Sequence, residues 1–204
     1  MRTPQAEAEI PRTVSSIDLC TSVFVDDPLA MELVDDRGEL RFRPLEADDL
    51  RLVHEWLQRP HVQRWWNDRE TYDEVVEHYL PSIEGDEPTD HYIALLGDEP
   101  IGFVETYLVS DHPEYAALID VGHGVAGVDL FIADEAITGR GIGTQILRRF
   151  VDDVVFGTGS TMSCVAGPEA RNVASLRAFE KAGFRVVKEF VEDGQVHTLV
   201  RRDR

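Results

Sequence analysis

The stretch of sequence that decides the fold is Asp129-Leu-Phe-Ile-Ala133, followed closely by Thr138-Gly-Arg-Gly-Ile-Gly-Thr144. The first part is typical of an apolar strand, although it carries one carboxylate, Asp129. The three glycines of the second part allow the backbone to turn tightly and to present successive N–H groups. Apolar residues at helical spacing continue beyond them, so the sequence predicts a helix over Gly139–Phe156.

Two roles fit the glycine turn. Because a helix N-terminus carries partial positive charge and free N–H groups, a pyrophosphate can bind there, and Arg140 adds a cation at the rim. The other interpretation is a tight turn that binds no ligand. The turn lacks the lysine of a Walker motif and a full G-x-G-x-x-G, which disfavours nucleoside triphosphates and Rossmann-type cofactors.

A second informative segment comprises Asn172-Val-Ala-Ser175 and Phe179-Glu-Lys-Ala-Gly-Phe184. The sequence predicts a helix from Asn172 to Ala182, which Gly183 ends. Asn172 is suited to cap this helix. Its side-chain amide is also suited to hydrogen-bond an amide-rich ligand.

Before these segments, the sequence predicts two helices, and a proline is expected to end each of them. The first is expected to stop at Pro60, which opens a short aromatic-tipped segment ending at Trp66. Thr71 and Glu74 predict a capping box for the second helix, which Pro81 is expected to end.

Two hairpins are expected among the predicted strands. One turns at Gly97-Asp-Glu-Pro100 and the other at Asp193-Gly194. The resulting order of elements is β-α-α-β-β-β-α-β-α-β-β, beginning near Glu39. This order predicts one mixed α/β domain.

The charge balance excludes some partners. The 204 residues include 20 basic and 39 acidic ones, a formal net charge of −19. Affinity for nucleic acids and for anionic membranes rests on lysine and arginine, so neither partner is expected. Two interpretations of the acidic excess stay open, solubility alone and an acidic cleft that attracts a polycation.

The rest of the composition predicts the division of the chain into segments, the cellular compartment and whether a metal binds. Residues 1–38 are rich in Glu, Asp, Pro, Ser and Thr, and we interpret them as a partly flexible extension before a domain of residues 39–204. The sequence lacks a signal core and a membrane-length apolar run, so a cytoplasmic protein is expected. The two cysteines and seven histidines lack ligand spacing, and no metal is expected.

Together these segments resemble the GCN5-related N-acetyltransferase (GNAT) superfamily. Gly139–Thr144 is similar to its acetyl-CoA pyrophosphate loop, Arg/Gln-x-x-Gly-x-Gly, with Thr138 at the first position. The resemblance implies a mixed, mostly antiparallel sheet flanked by helices on both faces, and acetyl-CoA as acyl donor. It implies donor contacts from Phe131, Ile132, Thr138, Gly139, Arg140, Gly141, Ile142, Gly143, Thr144, Asn172, Ser175 and Phe179.

A narrower resemblance is to the aminoglycoside 6′-N-acetyltransferases. It rests on the order and spacing of His54-Glu-Trp-Leu, Pro60-His-Val-x-x-Trp-Trp66, Tyr79-Leu-Pro-Ser82, Tyr92-Ile-Ala-Leu-Leu, Gly97-Asp-Glu-Pro-Ile-Gly102 and Gly127-Val-Asp129. It implies acetyl transfer to the 6′-amino group of a cationic antibiotic, and hence resistance. It implies antibiotic contacts from Trp66, Glu87, Glu105, Tyr107, Glu114 and Asp129. Asp193, in the last hairpin turn, is a further candidate for an antibiotic contact, and the alternative is that it only forms the turn.

Asp129 is the candidate catalytic residue for this reaction. An ammonium group must lose a proton before it attacks a thioester, and a nearby carboxylate can bind the cation and accept that proton. The resemblance implies this role for Asp129. The alternatives are a buried ion-pair partner and a strand-edge residue, because an unpaired carboxylate in an apolar strand is costly.

Two residues depart from the family pattern. Phe179 stands where the superfamily often has a tyrosine that protonates the leaving thiolate, so Tyr107, Ser175 or water would have to substitute, or the thiolate leaves unassisted. Gly167 stands where antibiotic acetyltransferases often have an acidic residue.

Other functions stay open at this stage. Siderophore-type lysine N-acyltransferases share the pattern of the first half, although they usually carry histidine at the position of Asp129. A non-catalytic module that binds CoA or a drug is a second alternative, and acetylation of protein N-termini is a third. A monomer and a homodimer are both compatible with the sequence.

Overall fold

The structure is a computed structural model that describes residues 38–66, 69–157 and 159–204. The predicted extension of residues 1–38 lies outside the described residues except for Gly38. The described residues form seven strands, which are β1 (Leu40–Pro44), β2 (Thr89–Leu96), β3 (Glu99–Leu108), β4 (Val125–Ile132), β5 (Ser163–Ala166), β6 (Arg185–Glu192) and β7 (Gln195–Asp203). They also form six α-helices, which are α1 (Leu50–Leu57), α2 (Pro60–Trp66), α3 (Tyr72–Glu84), α4 (Pro113–Ile119), α5 (Ile142–Phe150) and α6 (Val173–Lys181).

The strands build one sheet in the order β1-β2-β3-β4-β5-β7-β6. Neighbouring strands are antiparallel except β4 and β5, which are parallel. Val125, Ala126 and Gly127 of β4 pair with β5, after which β4 continues to Ile132 while β5 ends at Ala166. The predicted mixed, mostly antiparallel sheet is therefore confirmed.

Helices cover both faces of the sheet, also as predicted. On one face, α5 and α6 pack over the larger core, in which Val128 and Phe150 are buried. On the other face, α1, α2 and α3 pack over a second core around Trp56, Phe103 and Phe131. Residues of β4 contribute to both cores, because successive side chains of a strand point to opposite faces of the sheet.

The two predicted hairpins are present. β2 and β3 are joined at Gly97-Asp98, and β6 and β7 are joined at Asp193-Gly194. In the second turn both residues have positive φ, 48° at Asp193 and 76° at Gly194. This conformation matches the right-handed twist of the flanking strands.

The effects of proline differ from the prediction. Pro60 is the first residue of α2, where a helix needs no N–H group and the fixed φ of proline is suitable. The capping box of Thr71 and Glu74 begins α3 as predicted. The predicted end at Pro81 is wrong, because α3 continues through Pro81 for one short turn before Gly85, whose φ is 84°.

Two further helical segments were not anticipated. The short α4 begins with a proline and ends at Asp120, which has a φ of 51°. The segment predicted as one helix over Gly139–Phe156 consists of a glycine turn, α5 and a π-helical turn at Val151–Val155. No helix in the described parts of the chain is long and apolar enough to cross a membrane.

Truncation of Phe150 to alanine is expected to lower the free energy of unfolding by about 3–5 kcal/mol, because a buried ring is replaced by a cavity. Phe150 is fully buried, and Phe42 and Tyr92 pack against it with ring centroids 5.0 Å and 5.1 Å away. Chemical denaturation measures the change. The control Val186→Ala, at a site that is 66% exposed, should shift the free energy by less than about 0.5 kcal/mol. Equal losses in both variants would contradict this account of the core.

Candidate active site

A row of polar side chains crosses the face of the sheet that α1, α2 and α3 cover. His91 on β2 lies opposite Glu105 on β3, and Glu105 lies opposite Asp129 on β4. Strand alternation places this row on the same face as Phe103 and Phe131. The row therefore borders the second core at the point where apolar side chains give way to charged ones.

The polar row lines a cavity of about 400 Å³. Its wall holds four carboxylates, those of Glu87, Glu105, Asp129 and Glu192. Lysine and arginine are absent from the part of this wall that the structure describes. The other lining residues are His78, Ser82, Thr89, His91, Tyr107, His112, Tyr115 and Gly167. Such a wall is complementary to a ligand with several positive charges.

Asp129 has an unusual protonation equilibrium. Burial, together with the charge of Glu105 and Glu192, raises the pKa of Asp129 to about 7. A hydrogen bond from Tyr107 Oη to Asp129 Oδ2, 3.4 Å long, acts in the opposite direction. A carboxyl group that titrates near neutral pH is suited to accept and return a proton.

Tyr107 reaches Asp129 because its cross-strand neighbour is a glycine. Tyr107 lies opposite Gly127, and a Cβ atom on Gly127 would stand 2.3 Å from Tyr107 Cζ. The ring therefore lies across bare backbone. Burial and the Asp129 carboxylate raise the pKa of the Tyr107 phenol, so it remains a hydrogen-bond donor at neutral pH.

A second glycine shapes the opposite wall. A Cβ atom on Gly167 would stand 2.9 Å from Phe190 Cζ and 3.0 Å from Tyr115 Oη. A larger side chain at Gly167 would require these rings to move. Glu192, at the end of β6, brings a carboxylate to the same cavity from another direction.

The glycine turn packs against the end of β4. Gly139 and Gly141 have φ values of 70° and 87°, and Gly141 is the N-cap of α5. Gly143 lies in the first turn of α5, where a Cβ atom would make an ordinary 3.5 Å contact with Ile132 Cδ1. The first N–H groups of α5 lack partners within the helix, so this end of α5 can bind an anion.

The other predicted donor-site residues surround this turn. The Thr138 hydroxyl donates to Glu135 O over 2.8 Å, and Arg140 is exposed. His61 Nε2 donates to the Ile132 carbonyl over 3.0 Å, which ties α2 to the end of β4. Three of the predicted residues are largely buried, namely Phe131, Ile142 and Thr144.

The predicted residues on α6 have clear structural roles. The Asn172 side chain accepts a hydrogen bond from Ser175 N over 3.1 Å and so caps the helix. Its carbonyl oxygen is used in this way, which leaves its NH₂ group for a ligand. Phe179 is 3% exposed and packs edge-on against Phe184 in the larger core, with ring centroids 5.0 Å apart.

Three of the predicted acceptor contacts lie outside the cavity lining. Trp66 is half-buried and packs edge-on against Phe131, with ring centroids 5.0 Å apart. Glu114 is exposed in the first turn of α4. Asp193 is exposed in the turn between β6 and β7. Contacts of these three with an acceptor stay predictions.

Sequence reasoning missed several lining residues. Tyr115 lies on α4, which the sequence did not predict. Glu192 directly precedes Asp193, which the sequence analysis named instead. His91 and His112 belong to no motif. Among the described residues, no group of three or more His, Cys, Asp or Glu side chains could hold a metal ion.

Comparison with known proteins gives the same class as the fold and the glycine turn. Residues 46–191 match the acetyltransferase (GNAT) domain family. This chain belongs to the GNAT family and is an N-acetyltransferase.

Individual relatives include acyltransferases of more than one kind. Aminoglycoside N(6′)-acetyltransferase type 1 of Klebsiella pneumoniae is 31% identical over 155 residues, which cover 74% of this chain and 77% of that protein. Lysine N-acyltransferase MbtK of Mycolicibacterium paratuberculosis is 25% identical over 194 residues, which cover 91% and 78% of the two chains. The crystal structure of aminoglycoside acetyltransferase AAC(6′)-Ib in complex with coenzyme A and kanamycin superimposes with a TM-score of 0.70 and 28% identity, covering 81% of this chain and 95% of that one.

Asp129→Asn is expected to stabilise the protein at neutral and alkaline pH. Folding raises the pKa of Asp129 from an ordinary value near ~3.9 to about 7. The wild-type protein therefore loses free energy of unfolding as the pH rises between these values. The amide variant does not have this loss, so its advantage grows up to about pH 7 and is constant above it. Urea denaturation at a series of pH values measures the difference.

The matched control is Asp86→Asn, because Asp86 is an exposed residue next to the end of α3. Its effect on the free energy of unfolding should not follow the pattern of the Asp129 variant. A pH-independent effect of Asp129→Asn would contradict the raised pKa.

Proposed function

We propose that this chain transfers the acetyl group of acetyl-CoA to the 6′-amino group of an aminoglycoside, which would confer resistance to the antibiotic. The observation that carries the proposal is the cavity wall with four carboxylates, those of Glu87, Glu105, Asp129 and Glu192. An aminoglycoside is a polyamino sugar with several ammonium groups, and this wall is complementary to it. The relatives named for this activity support the same acceptor.

Asp129 binds the reacting amine in this proposal and acts as its general base. The ammonium group transfers a proton to the Asp129 carboxylate, and the free nitrogen lone pair attacks the thioester carbon. A base with a pKa of about 7 is close to the operating pH, where general-base catalysis is most efficient. Glu105 and Tyr107 flank Asp129 and complete the amine site.

Acetyl-CoA, the donor, lies on the side of the thioester carbon that is opposite the attacking amine. The first turn of α5 and Arg140 would hold the pyrophosphate, because both supply positive charge. The pantetheine arm would lie beside β4 beyond Gly127, where β4 continues and β5 ends soon afterwards. The predicted donor contacts around the turn and on α6 belong to this proposal.

The leaving thiolate needs no tyrosine on α6. Phe179 is buried in the larger core and has no proton to give. Tyr107 is an unfavourable source of that proton, because burial and the Asp129 carboxylate raise the pKa of its phenol. A thiol of pKa ~8.5 is a tolerable leaving group without assistance.

A lysine N-acyltransferase is the second candidate. The match to a lysine N-acyltransferase over 91% of this chain favours it. A lysine derivative presents one reacting ammonium group, whereas the four carboxylates of the cavity suit several. The acetyltransferase family membership favours catalysis over a non-catalytic binding module.

An amine panel tests the acceptor. Purified protein with acetyl-CoA is expected to release free thiol with kanamycin and tobramycin, and much more slowly with lysine derivatives or a peptide. Mass spectrometry of the product should place the acetyl group on the 6′-nitrogen. Release with lysine derivatives but not with kanamycin would favour the second candidate.

Asp129→Asn is expected to lower kcat/KM for kanamycin by about 10²-fold or more, which is typical of losing a general base. Steady-state thiol release measures the rate. The exposed control Asp86→Asn should retain the wild-type value. An unchanged rate in Asp129→Asn would remove this carboxylate from the mechanism.

Gly143→Ala tests the pyrophosphate loop. A methyl group there fits the protein itself, and alanine in a helix is more favourable than glycine by about 0.5–1 kcal/mol. The same methyl group would stand where the pyrophosphate approaches the helix N-terminus. We expect unchanged or higher stability with an acetyl-CoA affinity at least tenfold lower, roughly the effect of losing one charge-assisted hydrogen bond. Isothermal titration calorimetry measures the affinity, and an unchanged value would contradict the placement of the donor.

A further inference from the structure

β6 is the last strand of the sheet, and exposed apolar side chains lie along it. Among the described residues, β7 is the strand that pairs with β6, and the other edge of β6 has no paired strand. Val186 and Val191 of β6 are 66% and 58% exposed, and Val196 of β7 is 47% exposed. Val191 lies opposite Val196, while Val186 lies opposite a residue of the larger core. Strand alternation therefore places the three valines on one face of the sheet, as an apolar strip that another strand can cover.

The backbone of β6 also directs hydrogen-bonding groups to its outer edge. On β7, backbone groups of Val196 and Thr198 bond to residues 168–170, on the side away from β6. The residues of β6 opposite these two are Val191 and Glu189. Opposed residues of an antiparallel pair either bond to each other or direct their N–H and C=O groups away from each other. The N–H and C=O groups of Val191 and Glu189 therefore point outward from the sheet, where a further strand can pair.

The order of charges along β6 suits pairing with a second copy of the same strand. Val187 is the extra residue of a β-bulge, because its two neighbours lie opposite adjacent residues of β7. Without Val187, the strand reads Arg185, Val186, Lys188, Glu189, Phe190, Val191 and Glu192. Glu189 is the centre of this order, with both basic residues before it and an acidic residue at the far end. Antiparallel self-pairing about Glu189 therefore brings Arg185 opposite Glu192, and Val186 opposite Val191.

The faces of these side chains agree with such a pairing, because directly opposed side chains of an antiparallel pair lie on the same face. Val186 and Val191 share the face that carries the apolar strip. Glu192 lies on the other face, where it lines the cavity. Arg185 lies on that face too, because it directly precedes Val186 in the strand. Charged residues often protect an edge strand from pairing, whereas here the two-fold arrangement brings opposite charges together.

We propose that two copies of this chain form a symmetric dimer in which their β6 strands pair antiparallel, with the two-fold axis at Glu189. The sheet then continues from one copy into the other. Arg185 of each copy lies opposite Glu192 of the other, and Glu192 belongs to the cavity wall. Each copy therefore contributes a charged residue beside the candidate active site of its partner. The proposal does not depend on the identity of the acceptor.

Two features of β6 limit the strength of this dimer. Arg185 pairs with Asp203 over 2.6 Å within the chain, although Asp203 also pairs with Arg201 over 2.7 Å and retains that partner when Arg185 turns away. At the axis, Glu189 faces the same residue of the other copy, and like charges directly opposite each other are destabilising. A contact along one strand is also small beside the interfaces of obligate dimers. We therefore expect a dimer that dissociates on dilution.

Analytical ultracentrifugation of the full chain tests the proposal. The salt concentration is about 0.15 M, because the net charge of −19 on each copy is then screened beyond roughly 8 Å. The wild-type protein is expected to show a monomer–dimer equilibrium. Arg185→Glu should raise the dissociation constant at least tenfold, roughly the effect of placing like charges opposite each other at two symmetric positions. A wild-type protein that stays monomeric at every concentration would overturn the proposal.

The double variant Arg185→Glu/Glu192→Arg exchanges the two charges and so restores opposite charges across the interface. Its dissociation constant is expected to return to within about threefold of the wild-type value. The matched control is Arg41→Glu, because Arg41 lies on β1 at the other edge of the sheet and pairs with Asp98 over 2.8 Å. This control should leave the dissociation constant unchanged. No recovery in the double variant, or equal weakening by Arg41→Glu, would overturn the proposal.

Glu189→Gln provides a prediction of the opposite sign. The side chain of Glu189 is exposed, so the variant is expected to fold like the wild type, which circular dichroism checks. Removing the like charges at the axis should lower the dissociation constant by about threefold. An unchanged or higher constant would overturn the proposed register. All these measurements omit the acceptor, so a protein that dimerises but acetylates no aminoglycoside would contradict the proposed function and leave the dimer intact.

Discussion

The site depends on two carboxylates that face each other across β3 and β4. Glu105 and Asp129 occupy opposed positions, and burial strengthens their mutual repulsion. In the free protein, burial of Asp129 and this repulsion both favour its protonated form, which is why its pKa is raised to about 7. In the proposed function, the positive charge of a bound ammonium group also relieves this repulsion. Binding of a cation and readiness to accept its proton therefore come from one arrangement.

In the proposed function, the parallel pair of β4 and β5 determines where the donor and the acceptor meet. Because β5 ends soon after the pairing at Gly127, the second half of β4 has no paired strand on that side among the described residues. The same half of β4 carries Asp129 and leads through the glycine turn into α5. A carboxylate, a strand edge and a helix N-terminus are thus within one short stretch of chain.

Two glycines outside the turn are equally important for the cavity. Gly127 lets the Tyr107 ring lie across the strand, and Gly167 leaves room for Tyr115 and Phe190. Antibiotic acetyltransferases often have an acidic residue at the position of Gly167, and this chain lacks it. The rings occupy that space, and a carboxylate reaches the cavity from Glu192 instead.

Much of the fold could be predicted because its signals are local. A capping box, a turn with two positive φ values and a glycine after a helix act over a few residues, so Thr71, Asp193-Gly194 and Gly183 were interpreted correctly. Asp129 is also recognisable from a local signal, because it is the one charged residue in an apolar strand. The prediction at Pro81 is wrong, because the helix continues to Glu84 and ends at Gly85, whose left-handed φ of 84° stops it.

The surroundings of Asp129 could not be predicted in this way. Counting back from the hairpin turn would pair His91 with Val104, and a β-bulge between Ala94 and Leu95 shifts the register so that His91 faces Glu105. Strand side chains alternate between faces, so one extra residue exchanges the partner of every later position. The sequence by itself determined most of the helices and strands and singled out Asp129 as the candidate catalytic residue, because these features depend on near neighbours in the chain. Only the tertiary structure decided which side chains surround that residue, because cross-strand register is set by contacts between distant segments.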